Sequence, residues 1–190
     1  MAEWLPDILG AGFEQQTLPL GEDTEGEIVA TVVRALPERA PWWRRLVGRR
    51  PLEDVDVLYV HGWSDYFFQK RLARFWTSRG ARFYALDLRK YGRSLRPGQT
   101  PGYITDLAEY DADIAAALAA RGDTTGRRLV LFGHSTGGLI LTLWASRHPE
   151  EASAIILNSP WLEFQLGVAR AAIAPMVELR ARLWPMDAAP

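Results

Sequence analysis

Residues 129–138 read Leu129-Val130-Leu131-Phe132-Gly133-His134-Ser135-Thr136-Gly137-Gly138. The first four form a short apolar run of the kind that makes a buried strand. Residues 139–144 continue as an apolar helix, which Pro149 brings to an end. Between strand and helix stands Gly-x-Ser-x-Gly, and that context gives the motif its meaning. The turn must be so sharp that the Ser135 backbone is strained. Small residues at Gly133, Gly137 and Gly138 let strand and helix approach one another, and the Ser135 hydroxyl is held up at the end of the sheet. The N–H of Thr136, at the start of a helix, then points toward any negative charge that develops on a reacting oxygen.

The same glycines admit two other readings. Gly133 and Gly138 have the separation of a phosphate-binding loop, but Leu139-Ile140 stands where Lys-Ser/Thr is required. A glycine-rich turn without chemistry is the plainer alternative, and the agreement between motif and context argues against it.

Outward from this turn the chain alternates strands and helices. Residues 55–60 and 82–88 read as buried strands, and 154–157 as another. Phe68, Leu72, Phe75 and Trp76 recur at helical spacing before Gly80; Leu107, Tyr110, Ile114 and Leu118 do so before Gly122. Strand–helix alternation predicts a mostly parallel sheet with flanking helices, an α/β fold, with its site beyond the carboxyl ends of the strands. Residues 13–20 and 27–35 precede it as an expected hairpin around the turn residues 21–26. Two further strand ends carry polar residues. His61-Gly62-Trp63 follows 55–60 as a tight turn that fits the loop giving a second backbone donor, the Trp63 N–H. Asp87 to Ser94 follows 82–88, where side-chain hydrogen bonds are expected to shape a loop beside the site.

Composition narrows the function classes. A chain of 190 residues with 48% hydrophobic and 24% charged residues is long enough to bury a core and is expected to be globular. Twenty-two Lys+Arg against 23 Asp+Glu gives a net charge of −1, which offers no argument for nucleic-acid binding. No cysteine is present, so disulfides, zinc–thiolate sites and a Cys nucleophile are excluded. No cofactor and no metal are expected. No apolar run reaches transmembrane length, and the acidic N-terminus lacks a signal-peptide pattern, so a cytoplasmic location is expected. Residues 37–54 hold five arginines and two tryptophans. They read as a solvated loop with its tryptophans folded onto the body, against the alternative of a basic patch for anionic lipid or a partner.

The strand with His61-Gly62-Trp63, the loop Asp87-x-Arg89 to Gly92-x-Ser94, the elbow at 133–138 and Asn158-Ser159-Pro160-Trp161 together resemble the α/β-hydrolase superfamily, in its serine aminopeptidase (S33) and lysophospholipase-like branch. Lys90 departs from the small residue often seen in that loop. The resemblance implies a serine hydrolase acting on small-molecule esters, lipids or amides. It maps Ser135 to the nucleophile and the backbones of Trp63 and Thr136 to the oxyanion hole. His61, Gly62, Gly133, His134, Gly137 and Gly138 map to elbow and loop support. It also implies a hydrolase core over 1–160 and the start of a cap or lid over 161–190.

The base is the gap. In this fold the triad runs Ser, Asp/Glu, His along the chain. After Ser135 the only histidine is His148 and the only aspartate Asp187. His148 lies thirteen residues down the helix that Ser135 begins, about 20 Å away at 1.5 Å per residue. His134 adjoins Ser135 and points to the opposite face, so His61 is the one physically possible base. The chain is therefore expected to stop short of its acid and base strands, after the strand at 154–158, and to continue as an apolar helical stretch at 162–184. An open edge at 154–157 predicts self-association or a complementary C-terminal half. Two other functions stay open: a non-catalytic binding or assembly module, and a cofactor-free lyase or haloperoxidase on the same scaffold.

Overall fold

The computed structural model describes residues 3–38, 50–162 and 179 of the chain. The expectations for the Arg- and Trp-rich segment at 39–49 and for the helical stretch that follows residue 162 fall outside the described residues. The chain divides into two compact units, Met1–Pro160 and Trp161–Pro190, and the fold below is that of the first.

Among the described residues seven strands form one sheet in the order β1-β2-β3-β5-β4-β6-β7. They are β1 (Leu5–Pro6), β2 (Glu14–Asp23), β3 (Gly26–Ala35), β4 (Val55–Val60), β5 (Arg82–Asp87), β6 (Arg128–His134) and β7 (Ala154–Asn158). The pairs β5·β4, β4·β6 and β6·β7 are parallel, and the pairs among β1, β2, β3 and β5 are antiparallel. Helices α1 (Lys70–Thr77), α2 (Tyr110–Ala119) and α3 (Thr136–Arg147) supply the crossovers.

The parallel strands are apolar on both sides because both sides are covered. Along β4, Val55, Val57 and Tyr59 pack with Phe83 and Ala85 beneath Ala73 and Trp76 of α1. Leu58 and Val60 face the other way, with Tyr84 and Leu86, toward Ile114 and Ala117 of α2 and Ile140, Leu141 and Trp144 of α3. Successive strand residues thus serve two cores.

Three details differ from the sequence reading. The hairpin strands run to Asp23 and restart at Gly26, so the turn is tighter than the span 21–26. Helix α1 starts at Lys70, and its buried residues are Ala73 and Trp76; Phe68 lies before it and is exposed, as is Phe75. The aromatic spacing predicted a helix here, but the small Ala73 marks the face that the sheet can approach. The helix expected from Leu107 opens as a 3-10 turn, Leu107–Glu109, capped by Asp106 and Glu109, before α2 begins.

One aspartate interrupts the apolar run of β4. Asp56 is fully buried and accepts from Arg82 (2.7 and 2.5 Å) and Arg127 (2.6 Å), with Arg121 at 3.5 Å. A buried carboxylate persists only when paired, and these guanidinium groups join β5, α2's end and β6 at the end of the sheet opposite the elbow.

Candidate active site

Ser135 stands between β6 and α3 with φ 52° and ψ −119°. A non-glycine residue in this region costs about 1–3 kcal/mol and persists only where its surroundings over-determine it. Here they do. The Ser135 N–H donates to the Asn158 carbonyl (3.0 Å), extending the β6·β7 ladder one residue past His134. The Ser135 carbonyl accepts from Gly138 N–H (3.0 Å), closing the first turn of α3. A side chain at Gly133 would meet Gly138 Cα at 2.5 Å, and one at Gly137 would run into the carbonyl oxygens of Val60 and His61. The two glycines therefore let α3 press against both its own strand and the neighbouring β4.

Residues 61–67 leave β4 and pass beside the elbow. A methyl group placed on Gly62 would lie 3.1 Å from Ser135 Cβ and 3.6 Å from Ser135 Oγ. The next residue, Trp63, is exposed, as are Tyr66 and Phe68. Asp87, at the end of β5, is buried and accepts from Phe67 N–H (2.8 Å), from Arg93 N–H (3.1 Å) and from Arg93 Nη1 (2.8 Å). Ser94 Oγ donates to the Asp87 carbonyl (2.7 Å). Arg89 turns away, to Asp113 of α2 (2.7 Å) and to Glu109 (3.2 Å). Burial pushes the Asp113 carboxyl up despite the Arg89 guanidinium beside it.

The three histidines are all engaged elsewhere. His61 is 1% exposed; its Nδ1 donates to the Gly62 carbonyl (2.7 Å), and its Nε2 accepts from Leu88 N–H (3.2 Å). This bonding fixes the neutral tautomer, and burial, opposed by the charge of Asp87, pulls its pKa below the ordinary 6.5. His134 Nδ1 donates to the Asn158 carbonyl (3.2 Å). His148 stacks on Trp144 (4.5 Å between centroids) and donates to its carbonyl (2.9 Å) at the far end of α3. None of the three hydrogen-bonds Ser135 Oγ. Among the described residues no group of three His, Asp or Glu side chains converges as a metal site, and no helix is long and apolar enough to cross a membrane.

Residues 54–188 match the sequence model of the family described as serine aminopeptidase, S33. The chain belongs to this family. The elbow and the loop 61–67 thus sit in the family's α/β-hydrolase fold. The monoglyceride lipase of Saccharomyces cerevisiae shares that fold at TM-score 0.62 and 20% identity, over 90% of this chain and 55% of its own. A carboxyl esterase from Bacillus coagulans does so at 0.62 and 16%, over 89% and 51%. Among curated relatives, a monoacylglycerol lipase of Mycolicibacterium smegmatis is 33% identical over 121 residues, 62% of this chain and 42% of that protein. A (lyso)-N-acylphosphatidylethanolamine lipase of Mus musculus is 26% identical over 128 residues, 67% and 36%. A phospholipase of Bacillus subtilis is 32% identical over 118 residues, 60% and 44%. The chain spans less than half the length of these curated relatives.

Sequence reasoning missed two groups near the site. Lys90 adopts φ 60°, a conformation that favours glycine, and is nevertheless a lysine. Its Nζ reaches Asp23 (2.6 Å) and Glu25 (2.5 Å) of the β2–β3 turn, binding that hairpin to the loop after β5. Asp7 binds Arg93 through both carboxylate oxygens (2.7 and 3.0 Å). Eighty-six residues separate the two, and no local pattern announces such a pair.

Proposed function

We propose that this chain carries the nucleophile part of a serine hydrolase that cleaves carboxylic esters of lipid type, amides being the chemically adjacent class. The observation that carries the reading is the Ser135 backbone, held at φ 52° at the junction of β6 and α3. Ser135 Oγ would attack the substrate carbonyl. The resulting oxyanion would be met by Thr136 N–H, at the start of α3, and by Trp63 N–H, on the loop whose Gly62 lies against Ser135. The exposed rings of Trp63, next to Gly62, and of Tyr66 and Phe68 further along the same segment offer an apolar surface that suits an acyl chain. The relatives, named as lipases of monoacylglycerol and of phospholipid, point the same way. Residues 1–160 form the hydrolase core in this reading.

The proton of Ser135 needs an acceptor. His61 has both ring nitrogens occupied, and His134 and His148 donate to carbonyls. In this reading the general base and its orienting acid come from outside the described residues. A p-nitrophenyl ester series tests this. The chain by itself is expected to show only slow turnover, roughly 10³–10⁴-fold over water, which the oxyanion hole and binding supply when a triad member is missing and which Ser135→Ala changes little. A fast Ser135-dependent rate would mean that a base exists within the chain.

The lack of a histidine on Ser135 favours one other reading, a binding or assembly module that keeps the fold without the chemistry. A fluorophosphonate probe separates the two: Ser135 labels if its hydroxyl is activated and stays unlabelled in a pure binding module.

A further inference from the structure

The loop at 61–67 is tied down at both ends. At its start the His61 ring bridges Leu88 N–H and the Gly62 carbonyl. At its end Phe67 is held through both backbone groups, its N–H by Asp87 Oδ1 (2.8 Å) and its carbonyl by Arg93 Nη1 (3.0 Å). Arg93 is itself held from two sides. Nη1 donates to Asp87 Oδ2 (2.8 Å), while Nε and Nη2 form a bidentate pair with Asp7 (2.7 and 3.0 Å). The side chain of Arg93 is 8% exposed, and those of Asp7 and Asp87 are 0% exposed. Two buried carboxylates flank one guanidinium, so the cation cannot leave without exposing each carboxylate to the other. Asp7 is fixed in turn by a turn that closes from Asp7 N–H to the Phe13 carbonyl (3.1 Å), and it caps Leu9 N–H (2.9 Å). This N-terminal anchor lies outside residues 54–188, the span that matches the family.

We propose that Arg93 is the positioning residue of the oxyanion loop, and that Asp7, contributed from outside the family-matched span, locks it in that role. The inference rests on the assignment of Trp63 N–H as an oxyanion donor. An oxyanion donor acts only if it is already aimed when charge develops. Trp63 has no regular secondary structure around it to do this. The guanidinium plane supplies the rigidity instead: it fastens the carbonyl of Phe67, four residues downstream, to the end of β5 and to the N-terminal turn. A lysine cannot substitute, because its single nitrogen cannot serve Asp7, Asp87 and the Phe67 carbonyl in one plane.

The test uses the full chain, uniformly labelled with 15N, as wild type, Arg93→Lys and Asp7→Asn. Arg93→Lys keeps a cation between the carboxylates. Asp7→Asn leaves the bonds from Arg93 to Asp87 and Phe67 in place. Amide exchange at Trp63 and Ser64 is read against Thr136 and the rest of α3, and the rate of Ser135 phosphonylation by a p-nitrophenyl phosphonate is read alongside. Arg93→Lys is expected to accelerate exchange at Trp63 and Ser64, to leave α3 unchanged, and to slow phosphonylation by roughly 10–100-fold. Asp7→Asn is expected to do the same to a smaller degree. A merely structural role would loosen α3 and the loop together, and that outcome overturns the proposal. So does an unchanged Trp63 amide, and so does a displaced Trp63 amide with an unchanged phosphonylation rate. A wild type that never labels at Ser135, with the Trp63 amide still responding to both variants, would overturn the nucleophile reading while supporting the clamp on the loop.

Discussion

β4 and β7 flank the same strand, pair with it in the same parallel sense, and are both apolar, yet they live in different surroundings. β4 lies between β5 and β6, and its residues are buried without exception. β7 pairs with β6 alone among the described residues, and Ile155, Ile156 and Leu157 are 39, 37 and 39% exposed. The apolar content of a strand states what it needs; its place in the sheet decides what it gets. Ile155 and Leu157 point to one face and Ile156 to the other, so both faces of β7 keep partly exposed side chains, and among the described residues β7 has a partner strand on one edge only. β4 exits into a loop clamped by Asp87 and Arg93, whereas β7 exits at Asn158.

Truncating one side chain in each strand is the strongest way to break this contrast. Leu58→Ala in β4 is expected to cost about 2–5 kcal/mol, read from urea denaturation midpoints at unchanged slope. Ile156→Ala in β7 is expected to cost about 1 kcal/mol or less, because much of that side chain already meets water. Equal costs would mean that β7 is covered in solution. The open edge leads to the next expectation. The chain should sediment with a concentration-dependent coefficient, and Ile156→Lys should suppress the dependence, since charge on an edge strand opposes pairing. A wild-type chain that stays monomeric at high concentration would remove β7 as an association surface.

The smallest effect sharpens the β4 side. His61 has a folded pKa below the 6.5 of the unfolded chain, through burial. As pH falls through about 6.5 the unfolded state takes up a proton that the folded state refuses, so stability declines on acidification until the folded pKa is reached. The slope is at most about 1.4 kcal/mol per pH unit for one proton. Comparing denaturation midpoints near pH 7.5 and 5.5 should show this decline in wild type and a flatter profile in His61→Asn. A wild-type profile without slope would mean that His61 is as protonatable in the fold as out of it.

The parallel strands and the elbow were legible because their signals are local. An apolar run of four to six residues, a glycine-bounded serine and a helix behind it all lie within about twenty positions. The open edge at 154–157 was legible not from Ala-Ile-Ile-Leu itself, which looks the same whether or not another strand lies beyond it, but from the residues that follow, which carry no further strand pattern. The charge networks were not legible. Asp56 meets Arg82, Arg121 and Arg127 across 26, 65 and 71 residues. A hint existed: one aspartate in an otherwise apolar strand demands a cation, and only the choice of partners among 22 lysines and arginines was hidden. Lys90 carried the opposite lesson. A long charged residue at a position suited to glycine looked like a small departure, and it anchors a hairpin more than sixty residues upstream.

The Asp7–Arg93 pair has a consequence for how the molecule is made. At a synthesis rate of about 5–20 residues per second, the 86 residues between the partners correspond to roughly 4–17 s during which Asp7 exists and its guanidinium does not. The antiparallel hairpin β2–β3 can close in that interval, because its contacts are short in sequence. The loop beside Ser135 cannot be drawn tight until Arg93 arrives, and closing so long a span is entropically slow. The expected order of assembly therefore runs from the edge of the sheet inward, with the geometry around the nucleophile among the last features of this unit to set.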